Sequence, residues 1–249
     1  MVVLLAVGAF VVISRATAPH GRPNETTIHK TRTKKRASSG NDTTTTGAKH
    51  LAASIKDVFD VPAVAAYLAA SPYNVTAAVY NAATGHTSIY RAGVTEQCAS
   101  IMKVDILATL LSQAQAQGVA GLPSDQQALA QQMIEESNDD DAQDLWNLEG
   151  GATAVSQFDA EAGLTQTDPN TAGYWGESTT TAADQVQLLK TVAYPNSVLT
   201  DASRSYELGL MTNVDPTQAW GVSAGVPSGV TVALKNGWLP YGANNGPPW

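Results

Sequence analysis

Ser100-Ile101-Met102-Lys103 opens the strongest amphipathic run in the chain, Ala99 to Gln117. Ile101, Val104, Leu107, Ala108 and Leu111 fall on one face at helical spacing, which predicts a helix. Ser100 and Lys103, at i and i+3, then lie a turn apart on one side of it. A serine hydroxyl is a weak nucleophile until a base stands within hydrogen-bond reach. A lysine serves as that base when burial and a second cation lower its pKa. The first turn of a helix also offers unpaired N–H groups to a developing oxyanion. By itself such a pair is ordinarily an N-cap serine followed by a surface lysine.

Two further short stretches lie outward from it. Ser137-Asn138-Asp139 falls between two helical patterns, one starting at the capping box Ser124/Gln127 and ending near Glu136, the other running Asp140 to Leu148. Ser137 with Asp140 has capping-box form too, and acids in a first turn suit the helix dipole, so the tripeptide has an ordinary structural reading. Lys235-Asn236-Gly237 ends a predicted strand, Gly229 to Trp238, where Asn-Gly is common turn chemistry. Before Ser100, Asn74 to Asn81 and His86 to Arg91 flank the turn residues Ala82 to Gly85 and read as a hairpin. A helix with a break near Pro62 is predicted over 51–70, and further helices over Gly151–Ala162, Thr181–Tyr194 (with a Thr181/Asp184 capping box) and Asp201–Met211. The order helix, hairpin, many helices, strand is that of an α+β domain with a helical layer inserted between sheet segments.

Taken in this order, the three stretches resemble the S-x-x-K, S-D-N and K-T-G set of class A β-lactamases and penicillin-binding proteins. Met133-Ile134 before Ser137, and Thr179-Thr180-Thr181 opening a helix, are similar to the class A pattern as well. The resemblance covers roughly residues 51–249. It implies a β-lactamase/transpeptidase-like fold and a serine hydrolase acylated by a β-lactam or a related amide or peptide, with no cofactor, no metal and a monomeric state. Ser100 would be the acylated nucleophile and Lys103 its base partner. Ser137 would relay a proton to the leaving nitrogen. Lys235 would hold a substrate carboxylate and depress the neighbouring lysine's pKa, and the backbone N–H groups of Ser100 and Trp238 would form the oxyanion hole. Asp139, Asn236, Gly237 and Trp238 would line the substrate site. Two alternatives share the fold: a penicillin-binding D-Ala-D-Ala peptidase-like enzyme, and a catalytically impaired binding module.

The sequence departs from that pattern in places. Asp139 stands where the family has Asn, and an ionised carboxylate accepts where an amide would donate. Asn236 replaces a hydroxyl residue. The E-x-x-L-N motif whose Glu activates the deacylating water has no counterpart between Thr165 and Glu177, which leaves Glu161 and Glu177 as candidates for that base. Only Leu239 to Trp249 follow the Lys235 strand. The two strands that would bridge it to the hairpin are therefore expected to be missing, leaving an open sheet edge in an incomplete domain.

Composition narrows the chemistry further. The chain has 249 residues, 43% of them hydrophobic, enough for a sizeable core. One cysteine excludes an intrachain disulfide framework. Residues 51–249 contain one histidine, His86 beside a hairpin turn, so a Ser-His-Asp triad has no candidate. The net charge of -8 divides into +6 over residues 1–50 and -14 over the remainder, and the acidic body disfavours nucleic acid. Met1 to Ile13 is apolar apart from Gly8, which fits a secretory core segment, with a buried strand or helix as the alternative. No basic region precedes it, so the true start is expected upstream of Met1. Ala16-Thr17-Ala18 has cleavage-site form, although Pro19 disfavours cleavage. Residues 1–14 are thus expected to be a signal or anchor, residues 15–50 a disordered basic linker attracted to an acidic envelope or membrane, and 51–249 the extracytoplasmic domain, acting on a small-molecule or peptidoglycan-like substrate.

Overall fold

A computed structural model describes residues 4–6, 10–15 and 57–238 of the protein. The elements in chain order are β1 (Leu4–Ala6), β2 (Phe10–Arg15), α1 (Pro62–Ala70), β3 (Thr76–Asn81), β4 (His86–Tyr90) and β5 (Thr95–Gln97). A 3-10 turn, Ala99–Ile101, leads into α2 (Met102–Ala116), followed by α3 (Ser124–Gln131), α4 (Asp139–Glu149) and α5 (Gly151–Ala162). A second 3-10 turn, Trp175–Glu177, precedes β6 (Thr179–Thr181), α6 (Ala182–Ala193), α7 (Asp201–Thr212) and β7 (Thr231–Asn236). The α+β architecture, with helices between sheet segments, is the one the sequence predicts.

The hairpin forms as expected, β3 pairing antiparallel with β4 from Ala77↔Tyr90 to Asn81↔His86. Asn81 makes the turn: its Oδ1 accepts from Ala83 N at 3.0 Å and its carbonyl from Gly85 N at 2.8 Å. The free edge of β3 pairs with β1 and that of β7 with β2, both antiparallel, and β1 runs beside β2. The edges expected to stand open are therefore satisfied by residues from the start of the chain. Residues 16–56 and 239–249, which carry the expected linker and the chain end, lie outside the described residues. No helix among the described residues is long and apolar enough to cross a membrane.

α2 is the axis of the core. It packs against α4, α5 and α7, and every residue from Met102 to Leu111 is buried, so the run read as amphipathic is apolar-enclosed on all sides. Ile106, Leu107 and Leu111 meet Met133, Ile134, Leu145, Val155, Leu188 and Leu189 in one cluster. α6 covers β3 and α7 covers β7, which ties the helical layer to the sheet.

Several boundaries differ from expectation for physical reasons. Pro62 begins a helix rather than breaking one, because a first-turn residue needs no N–H partner. The helix expected from Ser124 to Glu136 divides into α3, of which Ser124 is the first residue and not the cap, and a wider π turn over Gln132–Glu136. Asn138, not Ser137, caps α4, its side chain accepting from Asp141 N at 3.1 Å. The Thr run is a strand, β6 on β5, before Thr181 caps α6 by accepting from Asp184 N at 3.2 Å.

Candidate active site

Ser100 is set by strain on one side and close approach on the other. Ala99 takes φ +47°, a conformation costing roughly 1–2 kcal/mol for a residue with a Cβ, and so turns the chain sharply into the helix. Cys98 N donates to Ser178 O at 2.7 Å and fixes the strand side of that turn. From the other direction β7 delivers Gly237. A Cβ there would fall 2.8 Å from Ser100 N, 2.9 Å from Ile101 N and 3.0 Å from Cys98 O. Only glycine lets the strand end lie against the backbone N–H of Ser100. Ser100 itself is 9% exposed, and its hydroxyl makes no hydrogen bond among the described residues.

Lys103 follows one turn later, fully buried. Its ammonium donates to Ser137 O at 2.6 Å, Ser137 Oγ at 3.2 Å and Asp139 Oδ1 at 2.6 Å, which uses all three N–H bonds. The Trp175 ring lies over the same nitrogen, 4.9 Å to its centroid. Burial pulls the Lys103 pKa below the ordinary lysine value, while the Asp139 hydrogen bond and the charges of Asp139 and Asp141 oppose it.

Ser137 owes its placement to a backbone reversal. The π turn ends on it at φ +61°, Asn138 N returns to Gln132 O at 3.2 Å, and Asn138 starts α4. The reversal presents both the carbonyl and the hydroxyl of Ser137 to the lysines. Lys235 on β7, also fully buried, donates to Ser137 Oγ at 2.8 Å and to Asn236 O at 3.0 Å. Its pKa is pushed down to about 7 by burial and then by the Lys103 charge, with Asp139 opposing. One hydroxyl thus sits between two buried amines, an arrangement able to pass a proton from one to the other.

Asn236 points away from that relay, its Nδ2 donating to Gln218 O at 2.6 Å and Trp220 O at 3.1 Å. Trp220 and Trp238, both partly exposed, have ring centroids 6.0 Å apart at the end of β7. The structure therefore brings together Ser100, Lys103, Ser137, Asp139, Lys235, Asn236, Gly237 and Trp238. It does not bring in the two glutamates. Glu161 is exposed near the end of α5 and Glu177 is exposed at the end of its 3-10 turn, and neither makes an ion pair or side-chain hydrogen bond to the lysines. From that turn it is the Trp175 ring that lies over Lys103.

Sequence reasoning missed Trp175 and the two carbonyls holding Asn236, which no motif announces. It also missed a set of buried acids behind α2: Asp105, Glu149, Asp159 and Glu207 are each at most 5% exposed. Burial raises the pKa of all four, well above the ordinary range for Asp105, Glu149 and Glu207 and to about 7 for Asp159, where a hydrogen bond with Asp105 opposes the rise. The available signal was Asp105 itself, an acid inside an otherwise apolar helical run. Among the described residues no three His, Cys, Asp or Glu side chains are grouped to hold a metal ion.

Residues 121–245 match the model of the beta-lactamase enzyme family; Ser137, Asp139 and Lys235 lie within that span and Ser100 and Lys103 precede it. The fold is similar to a crystal structure of a beta-lactamase from Desulfarculus baarsii, at 20% identity and a TM-score of 0.58, covering 70% of this chain and 75% of that one. The beta-lactamase from Streptosporangium roseum matches at 19% identity and 0.60, covering 71% and 77% of the two chains. That from Burkholderia vietnamiensis matches at 23% and 0.57, covering 70% and 77%. No curated protein sequence matches the chain.

Proposed function

This chain belongs to the beta-lactamase enzyme family, and from that premise we propose that it is a serine hydrolase acylated at Ser100. The observation that carries the reading is the Ser137 hydroxyl held between Lys235 at 2.8 Å and Lys103 at 3.2 Å, beside a serine whose backbone N–H lies against the end of β7. A neutral amine in that cluster accepts the Ser100 proton as Oγ bonds to the substrate carbonyl carbon. The oxyanion is stabilised by the backbone N–H groups of Ser100 and Trp238. The carbonyl carbon's bond to its leaving nitrogen then breaks, and the proton reaches that nitrogen through Ser137 Oγ. Water later cleaves the ester and restores Ser100.

The second half of this cycle is proposed to be slow. Trp175, an apolar ring, lies over Lys103 where a carboxylate would be needed to activate water, and Glu161 and Glu177 are exposed and unconnected to the relay. That favours an enzyme that accumulates its acyl form, as a penicillin-binding protein does, over one with rapid turnover.

The test is labelling of the full chain with a fluorescent penicillin and a fluorophosphonate, with intact mass to locate the adduct. A stoichiometric adduct that disappears in Ser100→Ala supports the reading. An adduct that persists in Ser100→Ala, or no adduct with either reagent, rejects it.

A further inference from the structure

The segment that follows α7 is fastened on both sides of the Ser137–Lys235 pair. At one end Asp215 N donates to Glu135 O at 2.9 Å, inside the π turn that delivers Ser137 two residues later. At the other end Asn236, the residue directly after Lys235, donates through Nδ2 to Gln218 O at 2.6 Å and Trp220 O at 3.1 Å. Between these anchors the chain is stiffened by its own bonds. Asp215 Oδ1 accepts from Thr217 N at 2.8 Å and Thr217 Oγ1 at 2.6 Å, and Asp215 O accepts from Gln218 N at 2.8 Å. A tight turn thus links the two pieces of backbone that hold the relay.

The chemistry of Asn236 suits this task. Successive residues of a strand face opposite sides, so Lys235 meets Ser137 while Asn236 meets the turn. Asn236 is 0% exposed, and its Oδ1 has no donor among the described residues. What the amide supplies is therefore its two N–H bonds, where a hydroxyl would have a single proton to give.

We infer that residues 215–220 form a strap that sets the distance between Lys235 Nζ and Ser137 Oγ, and that Asn236 is the positioning residue that fastens it. The inference rests on the proposed reading, in which this 2.8 Å contact carries the proton of Ser100. With the strap unfastened, the end of β7 is free to move off the π turn. Lys235 then gains water and distance from the Lys103 charge, and both changes return its pKa from about 7 towards the ordinary 10.5. The rising limb of Ser100 labelling moves to higher pH. A merely weakened fold would lower labelling at every pH alike.

Labelling rates of the full chain with a neutral fluorophosphonate, measured from pH 5 to 10, test this in Asn236→Ala, Asp215→Ala and Asp215→Asn. The charges acting on Lys235 among the described residues, Lys103 from α2 and Asp139 from α4, are present in all three. Asp215→Asn removes a charge but keeps Oδ1 for Thr217, whereas Asp215→Ala removes both. Relative to each variant's own plateau, labelling at pH 6 should fall about tenfold in Asn236→Ala, the effect of a limb displaced by one pH unit. Asp215→Ala should move the limb the same way by less, and Asp215→Asn should keep the wild-type limb. A limb that stays in place in both alanine variants, or an Asp215→Asn variant that matches Asp215→Ala, overturns the strap and leaves the serine reading standing. No Ser100 labelling in wild-type protein at any pH overturns the serine reading instead. Hydrogen exchange then decides the strap by itself: faster exchange over residues 132–138 and 231–236 in Asp215→Ala, but not in Asp215→Asn, supports it, and unchanged exchange rejects it.

Discussion

Lys103 Nζ stands 2.6 Å from Asp139 Oδ1, and this bond makes the two lysines of the site chemically unlike. Burial depresses both, but at Lys103 the carboxylate restores much of the preference for the charged form. Lys235 bonds only to a hydroxyl and a carbonyl, and its pKa falls to about 7. At neutral pH Lys235 is therefore neutral about half the time, while at Lys103 the Asp139 carboxylate favours the ammonium against the effect of burial. The two are joined through Ser137 Oγ.

Asp139→Asn removes the carboxylate that favours charged Lys103. The Lys103 pKa falls further, more of it is neutral at low pH, and the rising limb of the pH profile for Ser100 acylation moves towards acid. A hydrogen bond to a charged group contributes roughly 1.5–3 kcal/mol, so the ratio of labelling rates at pH 6 and pH 8 should rise about tenfold. Rates from a neutral probe across pH 5 to 9 check this, and a limb that stays in place or moves to higher pH contradicts it.

Ser137 combines the proposed proton relay with a left-handed backbone, and two substitutions separate these roles. Ser137→Ala deletes the hydroxyl and keeps a Cβ at φ +61°; Ser137→Gly deletes the hydroxyl and relieves the backbone by about 1 kcal/mol. Both should slow Ser100 labelling on the order of a hundredfold, while the glycine variant melts at the higher temperature. Labelling retained in Ser137→Gly would mean that the hydroxyl carries no proton.

The sequence carried these residues unevenly. Ser100, Lys103, Ser137 and Lys235 were legible because each sits in a short ordered motif, and the hairpin and helices around them follow from periodicity and turn residues. The geometry that makes Ser137 useful was not, since Ser137/Asp140 has the form of a capping box and only the π turn after α3 shows that Asn138 takes the cap. Trp175 was invisible because nothing local distinguishes an indole bound for a lysine from any surface aromatic. The pairing of β1 and β2 with β3 and β7 was equally hidden, because an apolar run does not state its partner.

Gly237→Ala tests close approach without touching any ionisable group. The added carbon would sit under 3.0 Å from two backbone nitrogens, so either β7 or the Ala99–Ile101 turn must move. Overpacking of this kind costs roughly 1–3 kcal/mol. A lower melting temperature and at least a tenfold loss of Ser100 labelling are expected together. Unchanged values for both would show that the strand end has room.

Stability should fall as pH rises towards neutrality, against the usual acid-denaturation trend. Asp159 has a pKa of about 7 in the folded protein and an ordinary value of 3.8, with desolvation the main cause and the neighbouring Asp184 charge adding to it. Between those pH values the folded chain holds a proton that the unfolded chain has released. The stabilisation is thus fully present below about pH 4 and is lost as pH passes through 7, on the order of a few kcal/mol. Asp105, Glu149 and Glu207 act in the same direction. Lys235 works over the next interval with the opposite slope. Its folded pKa of about 7 lies below the ordinary 10.5, so the stability it contributes is present above 10.5 and is lost as pH falls towards 7. Thermal melts should therefore drop from pH 5 to pH 7, and Asp159→Asn should flatten that drop. Lys235→Met should raise the melting temperature over wild type most at pH 7 and progressively less towards pH 10. A wild-type melting temperature that climbs from pH 5 to pH 7, with Asp159→Asn leaving the slope unchanged, would mean that the acids behind α2 ionise without cost.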